Sequence, residues 1–466
     1  MLNPDRIFPA NPTTRSIAAR LFKEIENLPL ICPHGHTIPE WFSENENFSD
    51  PAQLLIVPDH YILRMLVSQG ISLNALGVAS SDGKLHEVDG RKIWRIFAAN
   101  YFLFRSTPVR FWIDHTLETL FDIHEQLSKE NADDAYNKIA NCLAQDAYKP
   151  RALFDRFNIE VLATTDACTD DLNHHASISQ SAWAGRVIPT YRPDSVIDPD
   201  HEGFLDNLEV MGALDHEDMS TWDGYLNAHR SRREFFKSMG ATATDHGHPT
   251  AFTANLSSAD CERLYAKIIT GKSDADDHEM FRGQMLTEMA GMSIDDGLVM
   301  QLHSGSFRNH NSQIFLEHGR DKGFDIPKHA EFVSSLKPLL DKHGMNPKLS
   351  LILFTLDETT YARELAPLAG VYPSLKLGPA WWFHDSPAGM MRYRERTTET
   401  AGYYNTAGFN DDTRAFPSIP ARHDLARRVD CSFLAKQVAE HLLEEDEAAE
   451  IAIDLAYGLA KRAYNL

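Results

Sequence analysis

Apolar residues change their spacing along the chain, and the change marks out its regions. Arg15 to Phe22 carries apolar positions at helical spacing, and Leu28-Pro29-Leu30-Ile31-Cys32 follows as a short unbroken apolar run. The first pattern predicts a helix and the second a buried strand. From Ile38 to Asp155 the apolar residues fall three and four apart, as in Tyr61 to Leu66, Trp94 to Phe97, Phe111 to Leu127 and Ala135 to Leu143. That stretch reads as a helical insertion.

Beyond it, short β-rich runs alternate with longer helical ones. The runs are Ile159 to Thr164, Gly185 to Tyr191, Ala241 to Asp245, Leu298 to His303, Leu349 to Leu356, Leu375 to Leu377 and Thr406 to Phe409. With the first strand they number eight, which predicts an α/β fold, a (β/α)8 TIM-type barrel with its site at the strands' C-terminal ends. The expected organisation is an N-terminal helix and first strand over 1–37 and the insertion over 38–155. The rest of the barrel takes 156–431, and closing helices take 432–466.

The strand ends carry reactive side chains: His34/His36, Thr165/Asp166, Arg192/Asp194, Asp245/His246/His248, His303, Asp357, Trp381/Trp382 and Asp412/Arg414. Two residues apart on an extended chain, His34 and His36 can aim both imidazoles at one point, a geometry that suits zinc. With 22 histidines in 466 residues, about one His-x-His arises by chance, so context must decide. The eighth strand neighbours the first in a barrel, so Asp411 or Asp412 can supply the third ligand. Asp412 is favoured because it shares strand parity with Arg414; a helix cap is the plainer reading of either aspartate. His303 with Arg308 in the loop behind it, and Arg192 on the third strand, are expected to line the site. Three arginines, Arg192, Arg308 and Arg414, suit a carboxylate or several hydroxyls in the ligand. His60 and Tyr61 start a helix capped by Asp59. Trp381-Trp382 is a core pair or a platform for a sugar ring, and His246/His248 is a second metal pair or a locally hydrogen-bonded turn.

Composition narrows the partners. Hydrophobic residues at 43% and charged ones at 24% fit an ordinary soluble globular protein, and a net charge of −22 argues against nucleic acid and anionic membrane. No apolar run approaches a membrane span, and the opening Met1-Leu2-Asn3-Pro4-Asp5-Arg6 lacks a signal-peptide pattern, so a cytoplasmic protein is expected. Five scattered cysteines without Cys-x-x-Cys are expected to be reduced and mostly buried.

Taken together, Pro33-His34-Gly35-His36-Thr37, Pro58-Asp59-His60-Tyr61, Thr190-Tyr191-Arg192-Pro193, Thr244-Asp245-His246-Gly247, Gln301-Leu302-His303-Ser304-Gly305, Trp381-Trp382 and Asp412-Thr413-Arg414 resemble, in order and over nearly the whole chain, the uronate isomerase (glucuronate isomerase) family of the amidohydrolase superfamily. The resemblance implies interconversion of D-glucuronate with D-fructuronate and of D-galacturonate with D-tagaturonate. It implies His34, His36 and Asp412 as ligands of one divalent metal ion, Zn2+, and His60, Tyr61, Arg192, Asp245, His303, Arg308, Trp381 and Arg414 around a hexuronate. A homo-oligomer is expected. The superfamily's additional bridging ligand and sixth-strand histidine are not evident, so a mononuclear site is expected.

Moving a proton from C2 to C1 through an enediolate needs a base and a positive group at the developing oxyanion. Arg414 is the expected oxyanion partner. Tyr61, its pKa brought down from about 10 by nearby cations, or Asp412 is the base. A zinc hydrolase or decarboxylase on the same barrel, or a non-catalytic sugar-acid binder, are the alternatives.

Overall fold

The computed structural model describes residues 2–83 and 86–466; Met1 of the N-terminal segment and Lys84 and Leu85 of the insertion lie outside the described residues. Its centre is a parallel sheet: β1 (Leu30–Cys32), β2 (Ile159–Ala163), β3 (Val187–Ile188), β4 (Ala243–His248), β5 (Val299–Ser304), β6 (Leu351–Thr355) and β7 (Leu375–Leu377). The ladder joins β1 to β2 and β2 to β3. Short continuations at Asp166–Ala167 and Tyr191–Arg192 carry it on to β4, β5, β6 and β7. Leu377 bridges in parallel to Thr406, and the His36 N–H donates to the Thr413 carbonyl at 2.9 Å. The seventh strand thus meets the eighth segment, and the eighth meets the first.

Several boundaries differ from the sequence reading. The eighth run is a bridge at Thr406 rather than a strand, because Gly408 turns the backbone to φ +75° immediately afterwards. The third run breaks around Pro189, which cannot donate to a ladder. β4 runs to His248, three residues past the expected end. The closing helix Ile419–Ala439 starts well before Ser432, with proline in its first turn where the missing N–H costs nothing.

Alternation along the strands sorts two cores. Ala243, Val299, Ile352, Phe354 and Ala407 pack together on one face of the sheet. Met300, Leu302, Leu351, Leu353 and Leu377 belong to the cluster under the outer helices. Between residues 39 and 156 the chain forms helices, whose core of Ile62, Leu66, Trp94, Phe97 and Trp112 continues into Phe416 and Ile419. One of them, His60–Val67, is capped by Asp59, whose carboxylate accepts from the Tyr61 and Ile62 amides. No helix among the described residues is long and apolar enough to cross a membrane.

Candidate active site

The seam between the first strand and the eighth segment brings His34, His36 and Asp412 together. Cys32 points outward to His423, with Sγ 3.8 Å from Nε2, so strict alternation would send His34 the same way. The chain turns at Pro33 instead. His34 stacks on His303 with ring centroids 4.7 Å apart, and His36 Nε2 and His34 Nε2 lie 3.2 and 3.5 Å from Asp412 Oδ1. Asp412 holds φ +46°, an uncommon conformation for a non-glycine residue, and this lets the adjacent Asp411 face outward to His423 while Asp412 faces in. Trp381 is 7% exposed and donates from Nε1 to Asp412 Oδ2 at 3.1 Å, which orients that carboxylate.

Two nitrogens and a carboxylate oxygen, all within 4.8 Å of one another, can hold a metal ion. Asp412 Oδ1 is buried yet accepts no hydrogen bond, a cost that a cation would remove. Burial resists a charge on Asp412, but the two imidazoles outweigh it and hold its pKa far below the ordinary carboxylate value. Burial drives His36 down to about 4, leaving a neutral imidazole, the form able to ligate a metal. His34 also belongs to a second donor group with Asp245 and His303, in which His303 Nδ1 lies 2.7 Å from Asp245 Oδ1.

These groups open into a cavity of about 710 Å³, including its mouth, which is lined by every residue the sequence reading assigned to the site. Arg192 reaches it from the third strand, held by Asp194 at 2.9 Å and 3.7 Å from Asp245. Arg308 is tied to Asp325 at 2.8 Å, and Arg414 follows Asp412. His60 lies at the mouth, pushed by burial and then by Arg414 down to about 3. In a chain with an excess of acidic groups, the cavity gathers Arg192, Arg308, Arg414 and Arg422 beside Asp59, Asp245, Asp321 and Asp412, a local concentration of guanidinium groups able to meet an anion.

Tyr61 lines the same cavity but not in the state expected. Burial, then Asp385, push its phenol well above 10, outweighing the Arg422 guanidinium 5.3 Å from its ring centre. The cation expected to lower the phenol is present, but burial and the neighbouring carboxylate outweigh it and favour the neutral phenol. The His246/His248 pair also departs from a metal reading. β4 alternation turns Asp245 inward and both histidines outward, where His246 Nε2 meets Thr244 Oγ1 at 3.0 Å.

The glucuronate isomerase family model matches residues 12–464. A uronate isomerase of Rhizobium meliloti is 62% identical over all of this chain and 99% of its own length. The solved glucuronate isomerase of Caulobacter crescentus superposes with a TM-score of 0.98 at 56% identity, covering 100% of this chain and 97% of that one. The uronate isomerase of Thermotoga maritima gives 0.92 at 27% identity, over 100% and 99%. The chain belongs to the glucuronate isomerase family.

Against that family assignment, four residues of the site went unread in the sequence. Asp59 and Arg422 line the cavity and Asp321 stands at its mouth, drawn down to about 2 as Arg414, Arg192 and Arg308 outweigh its burial. Asp385 lies behind Tyr61, accepting its hydroxyl at 2.8 Å. Asp59 was read only as a cap. Asp385 and Arg422 sit at the start of one helix and inside another, where a cap and a surface charge are the ordinary readings. Their signal is the burial that only coordinates show: 6% exposure for Asp385 and 3% for Arg422.

Proposed function

We propose that this cavity isomerises hexuronates between aldose and ketose, taking D-glucuronate to D-fructuronate and D-galacturonate to D-tagaturonate, in the cytoplasm and as a homo-oligomer. The observation that carries the reading is the convergence of His34, His36 and Asp412 beside Arg192, Arg308 and Arg414 in one cavity of a chain of this family.

His34, His36 and Asp412 would hold one divalent ion, Zn2+, which when bound supplies Lewis acidity and an anchor for the sugar's carboxylate and adjacent hydroxyl. The arginines gather the anionic substrate against the chain's overall negative field. Arg414 stabilises the oxyanion that grows as C2 loses its proton. Tyr61 carries that proton as a neutral phenol, and Trp381 fixes Asp412. Asp245, paired with His303, sets the imidazole's tautomer and leaves His303 Nε2, buried and otherwise without a hydrogen bond, for a substrate hydroxyl. His60 closes the mouth above the sugar.

Incubation with D-glucuronate in D2O tests this. A ketose of unchanged composition carrying solvent deuterium next to its carbonyl is expected. Binding without deuterium exchange would establish a sugar-acid binder, and a cleaved or decarboxylated product would establish a hydrolase or decarboxylase.

A further inference from the structure

A phenol can take a proton from carbon only if its own proton has somewhere to go. Tyr61 has one acceptor built for this. Its hydroxyl donates to Asp385 Oδ2 at 2.8 Å, with the Trp382 carbonyl a longer 3.2 Å away. Asp385 does not line the cavity; it stands behind Tyr61, and its Oδ1 is buried without any hydrogen-bond partner. The Arg422 guanidinium lies 3.6 Å over the Trp112 ring and spans the gap, donating to Asp385 Oδ2 at 3.4 Å and to the Asp411 carbonyl at 3.2 Å. A lone buried carboxylate oxygen is costly, and such sites cluster where chemistry needs them.

We propose that Asp385 is the positioning residue that receives the phenolic proton of Tyr61, so that Tyr61 and Asp385 act as one two-member relay for the C2 and C1 protons. The C2–H bond breaks, and its electron pair enters the enediolate. That proton bonds to Tyr61 Oη while the original phenolic proton moves to Asp385 Oδ2, so the carboxylate becomes neutral as the substrate becomes anionic. On the return, the O2 hydroxyl proton passes to O1 within the enediolate, Tyr61 delivers its proton to C1 as the C2–O bond becomes the carbonyl, and Asp385 gives its proton back to Tyr61. Charge is conserved throughout, and exchange of the Tyr61 proton with solvent between the two steps is what places solvent hydrogen at C1.

The surroundings suit this exchange. Asp385 is pushed up to about 7, chiefly by burial, with Arg422 and the Tyr61 hydrogen bond opposing and Asp412 and Asp59 adding to the rise. The rise makes this buried carboxylate a stronger base toward the phenol than an ordinary exposed one. Arg422, itself 3% exposed, keeps the acid fixed rather than mobile.

This inference rests on the isomerase reading, and its test separates the two. Steady-state kinetics and C2-hydrogen exchange are measured for the unaltered chain, Asp385→Asn, Asp385→Glu, Tyr61→Phe and the Asn/Phe double variant, with metal content and circular dichroism checked in each. Asn keeps the size of the side chain and an acceptor for the phenol but cannot take a proton. Expected is a fall in kcat and in exchange of about 10²- to 10³-fold for Asp385→Asn, with KM within about threefold. Tyr61→Phe should lose a similar factor, and the double variant no more than the worse single one, as for groups that work as a unit. Asp385→Glu should regain about tenfold over Asn. An unaltered chain that makes no ketose overturns the proposed function and the relay together. With an active chain, an Asn variant within threefold in kcat, a loss confined to KM, a Glu variant no better than Asn, or losses that multiply in the double variant overturn the relay alone.

Discussion

Asp411 and Asp412 are neighbours in sequence and opposites in structure. Each meets a histidine and a residue of the first strand or of the turn that follows it. Asp412 gathers with His34 and His36, and Asp411 with His423 and Cys32, in two groups whose donor atoms all lie within 4.8 Å of one another. Inward, the group opens to a cavity ringed by arginines, and Asp412 Oδ1 lacks a hydrogen bond. Outward, Asp411 Oδ2 lies 3.3 Å from His423 Nε2, a residue of the helix Ile419–Ala439, and Cys32, Asp411 and His423 are all buried away from that cavity. Ligand types at ligand distances are therefore not enough to single out one candidate metal site over another. Access and an unmet bonding demand separate the two, and a positive-φ backbone at a single residue assigns each aspartate to its side.

The contrast can be broken most directly by exchanging the two carboxylates' fates. Asp412→Asn should abolish stable metal binding and cut turnover on the order of 10³-fold or more, whereas Asp411→Asn should keep the metal and most of the turnover. Equal losses in elemental analysis and kinetics would erase the distinction. Next in size, Arg414→Met should lower kcat by about 10²- to 10³-fold with metal content unchanged; unchanged turnover would remove Arg414 from the reaction.

A third buried carboxylate sharpens the scale between these extremes. Asp412 is held low by two imidazoles, while Asp385, with too few partners, is pushed up to about 7 by burial. Between about pH 4 and 7 the folded chain keeps a proton on Asp385 that the unfolded chain has lost, so stability falls as pH rises through that window. Asp385→Asn should remove a drop on the order of 2–4 kcal/mol between pH 5 and 8 in urea titrations. Asp166, raised to about 7 by burial as well, leaves a residual slope of the same sign. A variant with the full wild-type slope would show that Asp385 is already ionised at pH 5. Smallest of all, Cys32→Ala should cost about 1 kcal/mol of stability and leave kcat and metal content alone. Loss of the ion in that variant would make the outer group a partner of the inner one.

Much of the site was legible because strand ends in a barrel converge: His34, His303, Arg192 and Asp412 needed only topology to meet. What stayed hidden was what depends on helices crossing the mouth. Arg422 lies in a helix whose sequence gives no apolar stripe to single out its inner face, since nearly every side turns out to be buried. Asp385 precedes Ser386, which takes the cap of the next helix, so its own inward turn leaves no trace in the pattern. The direction of the Tyr61 shift depended on weighing one cation against burial and a carboxylate not yet seen. The eighth strand's brevity follows from Gly408, whose backbone lies so close to the helix around Ala460 that a Cβ there would meet Ala460 N at 2.8 Å.

The hydrogen bond from His36 N–H to the Thr413 carbonyl joins the two ends of the ring, and it is formed by one proposed metal ligand and the neighbour of another. The clasp and the tool are thus one part. Splices and added segments belong at outward corners such as Gly271, where open space surrounds the backbone, and any redesign that loosens the fastening at residues 34–36 or 411–414 dismantles the workbench with it.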